Sequence, residues 1–299
     1  MKAKVACLAC LLRQALNTAR ECTDDPDVQR QIMDETMRRC LVIPDPLALT
    51  PGELSQNAFE AAREITGIHD PYIEAKRAAN DAALALYPAL RARLDQLADP
   101  LLEALLLATA GNIIDLGIAQ EYDMMEDIVK QVERGFDREE LEAFRRSAEQ
   151  ARSILYLADN AGEIVFDRLL IEVLGPDRVT LMVKSGPIVN DALMADAAQT
   201  GLTDLVRVVE TGSNYFGFPW GEVSEEAREE LLGADMVISK GHANFETVSE
   251  LGPECDGKVW YLLKVKCPDV AEAVGGKLMD VVLLSHRTVR ELAGATAGG

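Results

Sequence analysis

Residues 154–164 read "ILYLADNAGEI". An apolar run stops at Asp159 and Asn160, and Ala161, Gly162 and Glu163 then lead into a helical pattern. Ligands of open α/β sheets bind beyond the carboxyl ends of the strands, so an acid and an amide at this point suggest a site. Further short apolar runs follow: "VTLMV" (179–183), "LVRVV" (205–209), "MVIS" (236–239), "VWYLL" (259–263) and "VVLL" (281–284). The segments between them are amphipathic and long enough for crossover helices. Runs that are apolar throughout suit parallel strands covered on both faces. The expected fold class is therefore α/β, a doubly wound layer over residues 151–299.

Upstream the grammar is helical, and residues 1–150 read as a helical region. "PGELSQNAFEAAREIT" (51–66) opens with Pro and carries apolar residues at helical spacing. Asp70-Pro71 starts another helix, expected to end where Pro88 interrupts it. The segment beginning "PLLEALLLATAGNIIDLG" is apolar on most sides and reads as a buried central helix. Asp137 followed by Glu140 resembles a capping box. With no low-complexity linker, the two halves should pack closely.

Composition bounds the function. A chain of 299 residues with 48% hydrophobic residues is expected to fold around a substantial core. Its net charge of -20 disfavours general attraction to nucleic acid or anionic lipid. Arg13 interrupts the apolar start and no small-residue cleavage site follows, so no signal peptide is expected. Glu103, Asn112 and Asp115 make the longest apolar run a poor membrane span, and the expected location is the cytoplasm. Six cysteines in a reducing compartment should be thiols. Cys7-x-x-Cys10 lacks a second such pair; a packing role is favoured over a metal or redox site that would include Cys267.

The strand ends carry the chemistry. After the second run come Lys184, Asn190 and Asp191; after the fourth, Lys240, His242 and Asn244; after the fifth, Lys264. Asp159, Asn160 and Asp191 are hard oxygen donors suited to Mg²⁺ or Mn²⁺. With three histidines in the chain, zinc is less suited. Lys184, Lys240 and Lys264 can meet a phosphate, and a metal facing lysines is a recurring arrangement for phosphoryl transfer. A capping or turn role for Asp159 and Asn160 is the competing reading. "DNAGEI" lacks the glycines of a dinucleotide loop, and Ala161 excludes an Asp-x-Asp nucleophile pair.

In their order, "LADNAGEIVFD", "VKSGPIVNDAL", "ETGSNYFG", "SKGHANFE" and "LLKVKCP" resemble the damage-control phosphatase family, formerly domain of unknown function 89, in its short prokaryotic branch. The resemblance covers nearly the whole chain. It implies a three-layer α/β/α Rossmann-like domain with a mostly parallel sheet, joined to N-terminal helices. It also implies a divalent metal (Mg²⁺ or Mn²⁺, with Co²⁺ or Ni²⁺ as options) and hydrolysis of small phosphorylated metabolites. The metal ligands it implies are Asp159, Asn160 and Asp191, and Lys264 best matches the lysine that binds the substrate phosphate. A carboxyl methyltransferase using S-adenosylmethionine is the runner-up, followed by a metal- or nucleotide-binding protein without turnover.

Around this centre, Glu163 is expected either to orient water or to cap the following helix. Asn190, Lys184, Lys240, His242 and Asn244 are expected to line the substrate pocket. Asn112 and Asp115 share a helix face and are placed at the pocket edge. Asp70, Tyr72 and Lys76 read as structural, with a substrate-facing role as the alternative.

Overall fold

The structure is a computed structural model and describes residues 1–110 and 136–297. The six apolar runs form one sheet: β1 (Ile154–Leu157), β2 (Val179–Val183), β3 (Arg207–Glu210), β4 (Met236–Lys240), β5 (Val259–Lys264) and β6 (Val281–Ser285). Their order is β3-β2-β1-β4-β5-β6. β1 to β5 pair in parallel, and β6 runs antiparallel on the edge, with Leu262 opposite Leu283. The chain winds outward from β1 in both directions, so the switch point lies between β1 and β4. There Tyr156 stands beside Ile238 and Leu157 beside Ser239.

Alternation along the strands divides the core in two. Ile154, Tyr156, Leu181, Ile238 and Trp260 face one layer. Leu155, Leu157, Met182, Val237 and Tyr261 face the other. The first layer contains α4 (Ile73–Leu94), α5 (Leu101–Ala110), α6 (Arg138–Gln150) and α7 (Glu163–Leu174). After the short α8 (Met194–Gln199), the second layer gathers α9 (Glu225–Gly233), α10 (Gly241–Val248), α11 (Pro268–Ala273) and α12 (His286–Ala297). Coverage of both faces is why the inner strands are apolar throughout. At the β3 edge, Arg207 and Glu210 are exposed.

The first three helices, α1 (Val5–Cys22), α2 (Pro26–Val42) and α3 (Pro51–Thr66), pack through Leu11, Ala15 and Ala58, and through Ala19, Ile32 and Ala62. The change of grammar near residue 150 is no break in packing, since Phe144 and Leu90 share a core with Tyr156 and Leu181. Among the described residues no helix is long and apolar enough to cross a membrane.

Two local expectations change. α4 continues through Pro88 to Leu94. Proline has a helix-compatible φ, Pro88 itself is exposed, and Ala83, Leu90 and Leu94 bury the helix on both sides of it. The capping box is one-sided: Asp137 accepts from the Glu139 and Glu140 N–H groups at 2.9 and 3.1 Å. The Glu140 carboxylate instead accepts from the Ser285 N–H at 3.0 Å and from the Thr288 hydroxyl, tying α6 to α12.

Candidate active site

Backbone hydrogen bonds join the loop after β1 to the loop after β2. The Ala192 N–H donates to the Asp159 carbonyl at 2.9 Å, and the Ala161 N–H donates to the Asn190 carbonyl at 2.9 Å. Asn160 and Asp191 face each other in an isolated antiparallel bridge. Asp159, Asn160 and Asp191 are thus brought together although they come from different strand ends. The Asn160 amide nitrogen donates to Asp159 Oδ2 at 2.8 Å and to Glu163 Oε2 at 3.3 Å.

The turn Ile188–Asp191 closes with the Asp191 N–H donating to the Ile188 carbonyl at 3.0 Å. Inside it Val189 has φ 43°, a left-handed conformation that a β-branched residue rarely adopts. Packing of Ile188 and Val189 with Phe59, Tyr72 and Phe216 holds this conformation. On the other side, β4 ends at Lys240 and α10 starts at Gly241 with φ 77°; a Cβ there would lie 1.9 Å from Asp159 Oδ2. Gly241 therefore lets backbone reach the Asp159 carboxylate across the β1–β4 switch point.

The electrostatics are those of a buried acidic centre. Asp159 is held well above the usual carboxylate range by burial, then by Glu163 and Asp191; Lys266 and Lys240 act the other way. Asp191 is pushed up to about 6 by burial, against Lys184 and Lys76, which favour its charged form. The Lys184 ammonium lies 3.7 Å from Asp191 and donates to the Gly217 carbonyl, and burial lowers its pKa.

Lys240 differs from its expected role. Its ammonium donates to Glu163 at 2.5 Å, to Asp167 at 2.6 Å and to the Ala108 carbonyl at 2.7 Å. With all three N–H groups engaged and the side chain fully buried, it holds Glu163 in place and does not reach out to a phosphate. Asn244 is also tied to protein, donating to the Ala158 and Lys240 carbonyls at 2.9 and 2.8 Å. Burial lowers the His242 pKa to about 4, so the ring is neutral. Its Nε2 lies 2.9 Å from the Lys264 carbonyl and 3.0 Å from the Lys266 nitrogen, donating to the first in one tautomer and accepting from the second in the other. His242 and Asn244 thus shape the strand-end loops. Lys264 is the half-buried last residue of β5. Asn112 and Asp115 lie outside the described residues.

All six cysteines are free thiols. Burial raises the pKa values of Cys7 and Cys267. Among the described residues no three His, Cys, Asp or Glu side chains are arranged to hold a metal ion. The donor set at the switch point is of another composition, two carboxylates and an amide.

Comparison with known proteins agrees with the fold and with the family resemblance. A family model described as damage-control phosphatase ARMT1-like domain matches residues 3–282. The chain belongs to this family. An uncharacterised protein of Methanocaldococcus jannaschii is 33% identical over 295 residues, 96% of each chain. A protein of Pyrococcus horikoshii named damage-control phosphatase is 32% identical over 91% of this chain and 93% of its own. One of Archaeoglobus fulgidus with the same name is 29% identical over 94% of this chain and 98% of its own. A duf89 family crystal structure from Pyrococcus horikoshii superposes with a TM-score of 0.85 at 31% identity, covering 96% of this chain and 99% of that one.

In this member of the damage-control phosphatase family, several contributors escape a reading of strand ends. Asp167, one turn beyond Glu163 on α7, accepts from Lys240 and from the Tyr156 hydroxyl at 2.7 Å, and burial pushes it up to about 6. Asn80 on α4 accepts from the Gly162 N–H at 2.6 Å. Glu163 and Asp167, spaced i, i+4, were the available signal for the first. For Asn80 the signal was a polar residue within the otherwise alanine-rich "AANDAALAL".

Proposed function

We propose that the chain is a divalent-metal-dependent phosphatase acting on small phosphorylated metabolites, sugar or nucleotide phosphates among them. The observation that carries this reading is the pair of buried carboxylates Asp159 and Asp191, joined at the β1–β4 switch point and both pushed toward protonation. Asp159, Glu163, Asp167 and Asp191 are buried there against three buried lysines, Lys76, Lys184 and Lys240, of which Lys76 is also paired with Asp70. That excess of acid fits a cation, and the oxygen donors fit a hard one. The family and the names of its relatives support phosphatase chemistry.

Asp159, Asn160 and Asp191 would hold the ion. When bound, a divalent metal supplies Lewis-acid polarisation of phosphoryl oxygens. Lys264, which best matches the family's phosphate lysine, would neutralise phosphate charge. Glu163, locked by Lys240, is oriented toward Asn160 and can accept a proton from an attacking water. Asp159 as a nucleophile is the other route, and a trapped phosphoenzyme would reveal it.

The test is release of inorganic phosphate from a panel of sugar and nucleotide phosphates with Mg²⁺, Mn²⁺, Co²⁺ or Ni²⁺. Asp191→Asn should reduce metal-dependent release by about 100-fold or more while the circular dichroism spectrum is kept. No release by folded, metal-loaded wild type would overturn the reading. The strand order also suits a methyltransferase, although β2 ends in buried Lys184 where an acid for ribose hydroxyls is expected. Binding of S-adenosylmethionine in a calorimeter would revive that second reading.

A further inference from the structure

Three lysines are buried among the described residues: Lys76, Lys184 and Lys240. Lys240 has given all its N–H groups to protein acceptors, and Lys184 is engaged by Gly217 and Asp191. Lys76 is different. It is 3% exposed, yet among the described residues its ammonium has no hydrogen-bond partner. Asp70 Oδ2 stands 2.7 Å away as an ion-pair partner, outside hydrogen-bond geometry. The other Asp70 oxygen accepts from the Tyr72 N–H at 3.0 Å, which fixes the carboxylate and so the lysine. A buried ammonium with three donors and one ion pair is costly unless something else accepts from it.

Its position indicates what that is. Tyr72, the N-cap of α4, and Lys76 and Asn80 within it are spaced four residues apart and so lie along one side of the helix. Tyr72 packs against Ile188, in the loop that carries Asp191. Asn80 holds Gly162, in the loop that carries Asp159 and Asn160, and the adjacent Ala79 lies against that glycine. Lys76 therefore faces the space between the two loops, and its charge is felt at Asp191.

We propose that Lys76, oriented by Asp70, binds the phosphate of the substrate from α4. The assignment rests on the phosphatase reading for its substrate. It gives the role expected of Lys240 to a residue whose donors are available.

The experiment is calorimetric titration of inorganic phosphate into Mn²⁺-loaded protein, with Mn²⁺ titrated separately into metal-free protein. Lys76→Met keeps the side-chain length and removes the charge. It should weaken phosphate binding by about 10-fold or more, and raise KM more than it lowers kcat. Mn²⁺ should bind at least as tightly as to wild type, because a cation facing Asp191 has gone. A lower Tm with phosphate affinity within about twofold of wild type would mean a purely structural lysine and would overturn the proposal. If Lys76→Met does not fold, Asp70→Asn decides: weakened phosphate binding supports the assignment, and unchanged binding overturns it. Wild type that binds Mn²⁺ and phosphate but cleaves no ester would sink the phosphatase reading and still score Lys76. Wild type that binds no phosphate would sink both.

Discussion

A methyl group at position 241 would collide with the Asp159 carboxylate, and the backbone there is left-handed. Gly241→Ala should therefore displace Asp159 or the start of α10. We expect about 100-fold loss of phosphatase activity and a cost of about 1–3 kcal/mol in urea denaturation. Val189 poses the reverse case, a side chain in a conformation that suits another residue. Val189→Asn relieves about 1–2 kcal/mol of strain and should leave the Tm unchanged or higher. Val189→Ala keeps the strain, loses apolar contact, and should lower stability by about 1 kcal/mol. A Tm for the Asn variant below that of the Ala variant would refute the strain argument. At this scale the sequence was legible where a residue's chemistry is local. Asp159, Asn160 and Asp191 stood out because acids and amides at strand ends are conspicuous. Lys240 stood out equally, but its partners Asp167 and Ala108 come from other helices, so its internal commitment could not be read. Lys76 had the opposite fault: within a helix it resembles any solvated lysine.

Lys240 joins β4, α7 and α5 through one ammonium. Removing one member of such a buried charge group leaves the rest uncompensated, typically costing about 3–5 kcal/mol. Lys240→Met should thus be among the more destabilising substitutions in the chain, read as a shift of the urea midpoint. Lys240→Met combined with Glu163→Gln and Asp167→Asn should recover part of the loss, because no unpaired charge remains. A triple variant less stable than the single one would show that the network contributes through geometry and not through charge balance. Element type was readable from period: α3 spans the expected 51–66 and β2 the expected 179–183. The passage of α4 through Pro88 was not, since burial of Ala83, Leu90 and Leu94 decides it. The reversed direction of β6 was equally hidden, because "VVLL" is apolar whichever way the strand runs.

At the scale of the whole molecule, the buried acids and a net charge of -20 act in the same direction as pH rises. Asp191 has a folded pKa of about 6, above its unfolded value, with Lys184, Lys76 and Glu163 facing it. A group shifted upward contributes stability that is complete below the unfolded pKa and is lost as pH rises through the folded one. Metal-free protein should therefore lose this contribution between about pH 4 and pH 7, the window set by those two values. Other carboxylates oppose the trend at the acid end; Glu35, held down to about 2 by Arg38 and Arg39, is one. The informative quantity is the difference in Tm between wild type and Asp191→Asn across that window. Without metal, the difference should move in favour of the variant as pH rises, because Asn carries no charge to bury. Added Mn²⁺ should reverse it, since a divalent ion binds the deprotonated carboxylates and its stabilisation grows with pH. Wild type should gain little from Mn²⁺ at pH 5 and several degrees at pH 7.5, while Asp191→Asn gains little at either. A metal-induced gain that is independent of pH, or equal in the two proteins, would mean that the ion binds elsewhere than at the β1–β4 switch point.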